Sequence, residues 1–298
     1  MIQRVNRLPI QLPEIEYGDK NAAVALQEVL GGKVGIMTSL NSYMYQSFNF
    51  RKKVKLKPFY DLVATISTEK FGHVELVATA INLLYKDEPL DEIPERSTQL
   101  HGRNMMNTIK YVNSAFTATP YDSNGLPWTG EAVSISGNLG LDLINNFHME
   151  CSTLIQLLRV TELTDHPVAK EVLGYLLVRG RAHIVAFAKA LEMATGVDYS
   201  KIVPIPKIDH CVMNEMIKYE ELGYGHILYT WNDIGDYTDI IKIWKGHHPI
   251  TGQKLIIKEG VPEDGSLVPT FDDLSDNYAP GIGLEDFHAI AKRLLAKM

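Results

Sequence analysis

The stretch FYDLVATISTEKFGHVELV, residues 59–77, decides the fold of this chain. Its apolar residues recur mostly at intervals of three and four, and this spacing is typical of a helix packed inside a bundle. Lys70 and His73 fall on the same apolar stripe. A lysine in a buried stripe costs free energy unless a nearby group binds its amine or its charge. The layer around Lys70 is therefore where a function is to be sought. The apolar positions of the stripe are Phe59, Val63, Ile66, Val77, Ala80 and Leu84.

Length and composition indicate an ordinary globular protein. The 298 residues can bury a full core, and 45% of them are hydrophobic and 22% charged. The net charge of -7 argues against a nucleic-acid partner. We find no signal peptide and no uncharged run of membrane-spanning length, so we expect a cytoplasmic protein without a membrane partner. Two cysteines, Cys151 and Cys211, do not predict a disulfide framework.

Four long helices are predicted, over about 21–50, 58–85, 136–164 and 167–195. The connection 86–132 between the second and third helices is rich in proline and glycine. A connection of this length suits the crossover that joins parallel neighbours in a four-helix bundle, as in ferritin-like folds. The predicted fold class is therefore all-α, a ferritin-like four-helix bundle with a long crossover connection and an extended C-terminal tail.

Gly31 and Gly32 lie inside the first predicted helix. Each glycine costs a helix about 1 kcal/mol. Glycines at such positions usually permit a bend or a close helix crossing. We therefore predict one helix over 21–50 that bends or crosses closely at this point.

The chain divides in two by composition. Residues 1–196 are predicted to form the four-helix bundle with an irregular N-terminal arm. Residues 197–298 are richer in proline, glycine and tyrosine and are too polar for a second independent core. We predict that this segment is a tail that wraps the bundle or neighbouring subunits and ends in an amphipathic helix over about 284–297.

Ionisable residues meet in one layer of the predicted bundle. The second helix contributes Lys70 and His73, the third Glu150 and the fourth His183, while the first contributes Ile36. Buried histidines and a buried glutamate need a shared partner, and a divalent metal ion is the simplest one. Two histidines and one carboxylate also leave coordination positions open for oxygen species. The alternative is that each histidine is a core residue with local hydrogen bonds.

Several segments resemble the manganese catalases, and the resemblance covers most of the chain. It implies a ferritin-like bundle, a hexamer with interlocking tails, and disproportionation of hydrogen peroxide at a paired manganese site. The segments that carry it are GGKVG (31–35), SYMYQSFNFR (42–51), TEKFGHVE (68–75), SGNL (136–139), GYLLVRG (174–180) and VPIPKID (203–209).

The resemblance is incomplete at the metal ligands. The family pattern has a glutamate on the first helix, Glu-x-x-His on the second, a glutamate on the third and a histidine on the fourth. His73, Glu150 and His183 match this pattern, whereas Ile36 and Lys70 stand at the two other ligand positions. An isoleucine offers no lone pair, and an ammonium repels a cation. A paired site of the family type is therefore not expected.

The leading hypothesis is a redox protein with one metal ion per chain, manganese or iron. Its metal ligands would be Glu150, His183 and His73, and Lys70 would act as the catalytic hydrogen-bond donor or proton source toward peroxide or dioxygen. A small organic molecule could be a further substrate.

Two alternatives remain open. In the first, the protein is a dimanganese catalase whose lost ligands are replaced by Glu69, by carbamylated Lys70 or by His148. Glu69 is more simply explained as a surface or ion-paired carboxylate. In the second, no metal binds, and Glu150 and Lys70 form a buried ion pair in a structural or small-molecule-binding relative.

Overall fold

The computed structural model describes residues 5–86, 117–202, 213–271 and 284–297. The described part is mainly helical, which confirms the predicted all-α bundle. The α-helices are α1 (Lys20–Gly31), α2 (Ile36–Phe48), α3 (Lys57–Leu84), α4 (Leu139–Thr161), α5 (Pro167–Thr195), α6 (Tyr199–Ile202), α7 (Asn214–Glu221) and α8 (Leu284–Leu295). Short 3-10 helices span Gly130–Ala132 and Thr238–Lys242, and two strands, β1 (Ile227–Tyr229) and β2 (Ile256–Lys258), pair in parallel.

The prediction of one helix over 21–50 is wrong, because the chain leaves the helical conformation between α1 and α2. Gly32 and Gly35 are both extended, with ψ of 167° and 174°. Gly31, the last residue of α1, lies against the backbone of Tyr121, and a Cβ at Gly31 would stand 2.2 Å from the Tyr121 carbonyl oxygen. Gly31 therefore does permit a close contact, but with the Tyr121 segment of the long connection and not with a helix as expected.

The other three long helices begin and end close to the predicted residues, because their ends carry clear signals. Pro58 lies in the first turn of α3, and Pro167 begins α5. The Asn138 side chain caps α4 by accepting a hydrogen bond from the N–H of Leu141. Gly196 ends α5 in the left-handed conformation at φ 76°.

Helix α5 is the centre of the bundle. It is buried on nearly every side, and it packs along α4 and against α3. Helices α1 and α2 both pack on α3. Of the predicted long connection, residues 87–116 lie outside the described residues.

The C-terminal segment packs onto the same core. Helix α7 packs on α5, and the 3-10 helix Thr238–Lys242 packs on α3. Met216, Tyr224 and Ile227 belong to the same hydrophobic cluster as the bundle residues. The division at residue 196 stays a prediction, as does the disulfide question, because Cys211 lies outside the described residues. None of the helices in the described part has the length and apolarity that crossing a membrane requires.

The contact at Gly31 generates a stability prediction. Gly31→Ala should lower the free energy of unfolding by about 1–3 kcal/mol, because the added methyl group overlaps the backbone of Tyr121 and the loop must move. Gln27 donates a hydrogen bond to the same carbonyl oxygen at 2.7 Å, and this bond would be strained as well. Urea denaturation measures the effect.

Gly140→Ala is the matched control. Gly140 lies in the first turn of α4, where an added Cβ meets only the Asn138 side chain at 3.5 Å. Alanine there should be neutral or should stabilise the protein by up to about 1 kcal/mol. Equal stability of the Gly31→Ala variant and the wild type would contradict the steric argument.

Candidate functional site

Lys70 and Glu150 form a buried ion pair between α3 and α4. The Lys70 ammonium lies 2.9 Å from Glu150 Oε2, and the two side chains are 3% and 0% exposed. The Tyr43 hydroxyl donates a hydrogen bond to the other oxygen, Oε1, at 2.8 Å. Burial by itself raises the pKa of Glu150, but Lys70 and His183 outweigh it and lower that pKa to about 2. Glu150 is therefore ionised at neutral pH and has a cationic partner.

Glu69 and Arg179 form a second buried ion pair, between α3 and α5. Arg179 donates from Nε to Glu69 Oε1 at 2.5 Å and from Nη2 to Oε2 at 2.8 Å. The Trp231 indole N–H also donates to Oε2, at 3.1 Å. Burial raises the pKa of Glu69, and the Arg179 guanidinium outweighs this and holds it well below its usual range. This two-bond geometry makes the pair a strong one.

The remaining donors of Arg179 bind the C-terminal segment. Its Nη1 donates hydrogen bonds to the carbonyl oxygens of Tyr224 and Ile227. Together with the Trp231 contact to Glu69, these bonds attach residues 224–231 to the charged layer of the bundle. The layer therefore includes main-chain groups from outside the four long helices.

His73 and His183 lie beside these two ion pairs. His183 Nε2 is 3.1 Å from Glu69 Oε2, and His73 Nε2 is 3.4 Å from Glu69 Oε1. The imidazole rings stack with their centroids 5.9 Å apart. Both residues are buried, and none of their four ring nitrogens makes a well-aligned hydrogen bond to a described residue. Burial lowers the pKa of His73 to about 4, so His73 is neutral at pH 7.

The structure brings together all four residues predicted for the site, Lys70, His73, Glu150 and His183. Their predicted roles, Lys70 as the catalytic group and the other three as metal ligands, stay predictions. Ile36 is buried at the start of α2.

Sequence reasoning missed Arg179 and misplaced Glu69. Glu69 is fully buried, so its interpretation as a surface residue is wrong and its interpretation as an ion-paired carboxylate is right. His148 is exposed on α4 and cannot join the layer. The sequence did contain a signal for Arg179. It is the one charged residue in the run GYLLVRG (174–180), and it precedes His183 by one helical turn. A lone charge in such a run needs a partner.

The donor set does not fit a pair of manganese ions. Each of the four carboxylate oxygens of Glu69 and Glu150 already accepts a hydrogen bond from a side chain, and each carboxylate has its own cation. The formal charges of Glu69, Glu150, Lys70 and Arg179 sum to zero. Among the described residues, no group of three or more His, Cys, Asp or Glu side chains is arranged to hold a metal ion.

Comparison with known sequences identifies a family over the whole chain and individual relatives over parts of it. The model of the family "Manganese containing catalase" matches residues 1–298. A manganese catalase of Bacillus subtilis is 36% identical over 183 residues, which are 58% of this chain and 65% of that protein. A manganese catalase of Lactiplantibacillus plantarum is 29% identical over 257 residues, covering 85% of this chain and 89% of that protein.

A solved structure shows that the fold is shared. The manganese catalase KatB of Anabaena superposes with a TM-score of 0.54 at 20% identity, over 80% of this chain and 94% of that chain. This likeness supports the ferritin-like architecture of the bundle. The family model, which covers all 298 residues, establishes the relationship itself. The chain belongs to the manganese catalase family.

Proposed function

We propose that this chain is a metal-independent member of the family, a structural or small-molecule-binding protein. In it, two buried ion pairs occupy the layer where the family resemblance implies paired manganese ions. One observation carries the proposal: every carboxylate oxygen of Glu69 and Glu150 accepts a hydrogen bond from another side chain. Two of the donor residues, Lys70 and Arg179, are cations.

The electrostatic argument is one of charge balance. A divalent ion bound to Glu69 or Glu150 would have to displace Arg179 or Lys70, or leave that cation next to the metal. Either arrangement puts uncompensated positive charge in a buried layer, at a cost of several kcal/mol per ion. The dimanganese alternative would need two such ions, and Ile36 offers neither of them a ligand. We therefore disfavour peroxide disproportionation by a metal pair.

A single-metal oxidoreductase is the second candidate, and the histidines favour it. The four ring nitrogens of His73 and His183 are buried without well-aligned hydrogen bonds among the described residues. Such nitrogens suit a ligand, and manganese or iron held by His73, Glu150 and His183 would use them. In this alternative Lys70 would donate a hydrogen bond or a proton to the oxygen species, and it would first have to release Glu150.

We further propose a cytoplasmic homo-oligomer, a hexamer by family resemblance, in which the tail 197–298 contacts neighbouring subunits. Exposed apolar side chains on α8 support this assembly. Phe287, Leu294 and Leu295 are 58%, 62% and 71% exposed, and they lie on an amphipathic helix. Exposed apolar side chains that cluster on a surface often mark a contact with another subunit.

Metal content tests the proposed function directly. Wild-type protein produced with added manganese should hold far less than one metal ion per chain by elemental analysis, and it should not release oxygen from peroxide above a metal-free control. The double variant Ile36→Glu/Lys70→Glu should gain manganese, because the glutamates of the layer then exceed Arg179 by three charges and the layer attracts divalent ions.

Each outcome of the metal analysis has one interpretation. Close to one tightly held ion in the wild type, with a manganese-induced rise in melting temperature, would support the single-metal candidate instead. Two ions per chain with oxygen release would overturn the metal-independent proposal and restore the dimanganese alternative.

Removal of one cation tests whether the layer is held by ion pairing. Arg179→Met should lower the free energy of unfolding by about 3–5 kcal/mol, because it leaves the Glu69 carboxylate buried without its cation. The double variant Arg179→Met/Glu69→Gln should be more stable than Arg179→Met, because the uncompensated charge is gone. Urea denaturation of the purified protein measures both.

Arg159→Met is the control for this cycle, because Arg159 is an exposed arginine on α4. We expect it to change stability by less than about 0.5 kcal/mol. If Arg179→Met behaved like this control, or if Glu69→Gln worsened it, the charge-balance argument would fail.

A further inference from the structure

A cavity of about 240 Å³ lies on the other side of α5 from the charged layer. It is lined by Arg181 of α5, by Glu220 and Glu221 at the end of α7, and by His248 of the C-terminal segment. Arg181 is two residues before His183, and residues two apart do not share a helix face. The cavity is therefore separate from the layer of Lys70 and Glu150.

His248 presents an unused N–H donor. Its side chain is only 2% exposed, and its Nδ1 lies 3.2 Å from the backbone N–H groups of Ile250 and Thr251. Because Nδ1 accepts these hydrogen bonds, the proton of the neutral ring is on Nε2. Burial, with the nearby Arg181 charge, lowers the pKa of His248 to about 4, which keeps the ring neutral at pH 7. Nε2 has no hydrogen-bond partner among the described residues.

Arg181 presents a second unused donor. The residue is 3% exposed, and its Nη2 forms an ion pair with Glu220. Its Nε–H is buried and has no hydrogen-bond partner in the described part of the chain. A buried donor left unpaired is unfavourable, because its hydration is lost without replacement. Two such donors, on residues that line one cavity, point to an oxygen acceptor as their missing partner.

The charges around the cavity decide what kind of molecule carries that acceptor. Glu220 already balances Arg181, and His248 is neutral. Glu221 is exposed at the rim and makes no ion pair with a described residue, so the lining has a formal charge of one negative unit. The lining itself therefore does not favour a simple anion. A molecule with both a carboxylate and an ammonium group would satisfy the donors and Glu221 together.

We propose that this cavity binds a small zwitterion of the free amino acid class. The carboxylate accepts hydrogen bonds from Arg181 Nε and His248 Nε2, and the ammonium group pairs with Glu221. The volume of the cavity is below the 300–1,000 Å³ that is usual for drug-sized ligands, which fits a molecule of this size.

Calorimetric titration of the full chain with glycine and with L-alanine tests the proposal. Acetate and methylamine serve as the two half-ligands, and each should bind at least about tenfold more weakly than the amino acids. His248→Asn should weaken amino acid binding by about tenfold, because it removes the Nε2 donor. Its side-chain oxygen can still accept from the backbone two residues on, which preserves the local turn.

Two further variants complete the test. Glu221→Gln changes an exposed rim residue, so it leaves the fold intact, and it should weaken amino acid binding about tenfold without weakening acetate binding, because acetate has no ammonium group to pair with Glu221. His247→Asn changes the exposed neighbouring histidine and should bind like the wild type. The proposal is overturned if neither amino acid binds at millimolar concentration. Binding of acetate as tight as that of glycine, or an unaltered affinity in both His248→Asn and Glu221→Gln, would overturn it too.

Discussion

Two carboxylates buried side by side are the constraint on which the rest of this bundle depends. Glu69 and Glu150 are both 0% exposed, and an ionised carboxylate away from water must be given a counter-charge. In the manganese catalases, the resemblance implies that metal ions supply this charge to the glutamate that corresponds to Glu150, whereas Glu69 is not at a ligand position of the family pattern. Here Arg179 and Lys70 supply it from within the chain, so the folded state can compensate its own buried acids. The proposed metal independence is a consequence of this compensation and does not rest on any single missing ligand.

The same constraint explains how the C-terminal segment is attached to the bundle. A guanidinium has five N–H donors, and Glu69 uses only two of those on Arg179. The carbonyl groups of Tyr224 and Ile227 accept from Nη1, and Trp231 completes the coordination of Glu69. The segment is thus attached to the bundle by buried hydrogen bonds, which could not be predicted from its amino-acid composition. Such bonds are directional, and they fix where residues 224–231 lie on α5.

The sequence was informative where a signal is local. Proline, asparagine and glycine at the helix ends predicted the limits of α4 and α5, and the three-and-four spacing predicted that Lys70 and Glu150 share a layer. It failed where the cause lies far along the chain. Gly31 makes its close contact with the backbone of Tyr121, ninety residues away. Arg179 was missed because α5 is buried on almost every side. A helix without a polar face gives no indication of which neighbouring element a buried charge on it contacts.

The substitutions in the layer make physical sense only as a set. Lysine at position 70 beside two bound metal ions would add positive charge to a site already rich in it, whereas lysine beside an unmetallated Glu150 neutralises a buried acid. A lysine at position 70 is therefore unfavourable when metal ions are bound in the layer and favourable when they are absent. Its contribution to stability is not additive with that of its neighbours. Ile36 belongs to the same set, because an apolar side chain is favourable at a buried position only when no cation there needs a ligand. A chain that carries both substitutions, together with Arg179 on Glu69, therefore has a layer whose charges are mutually consistent without an ion.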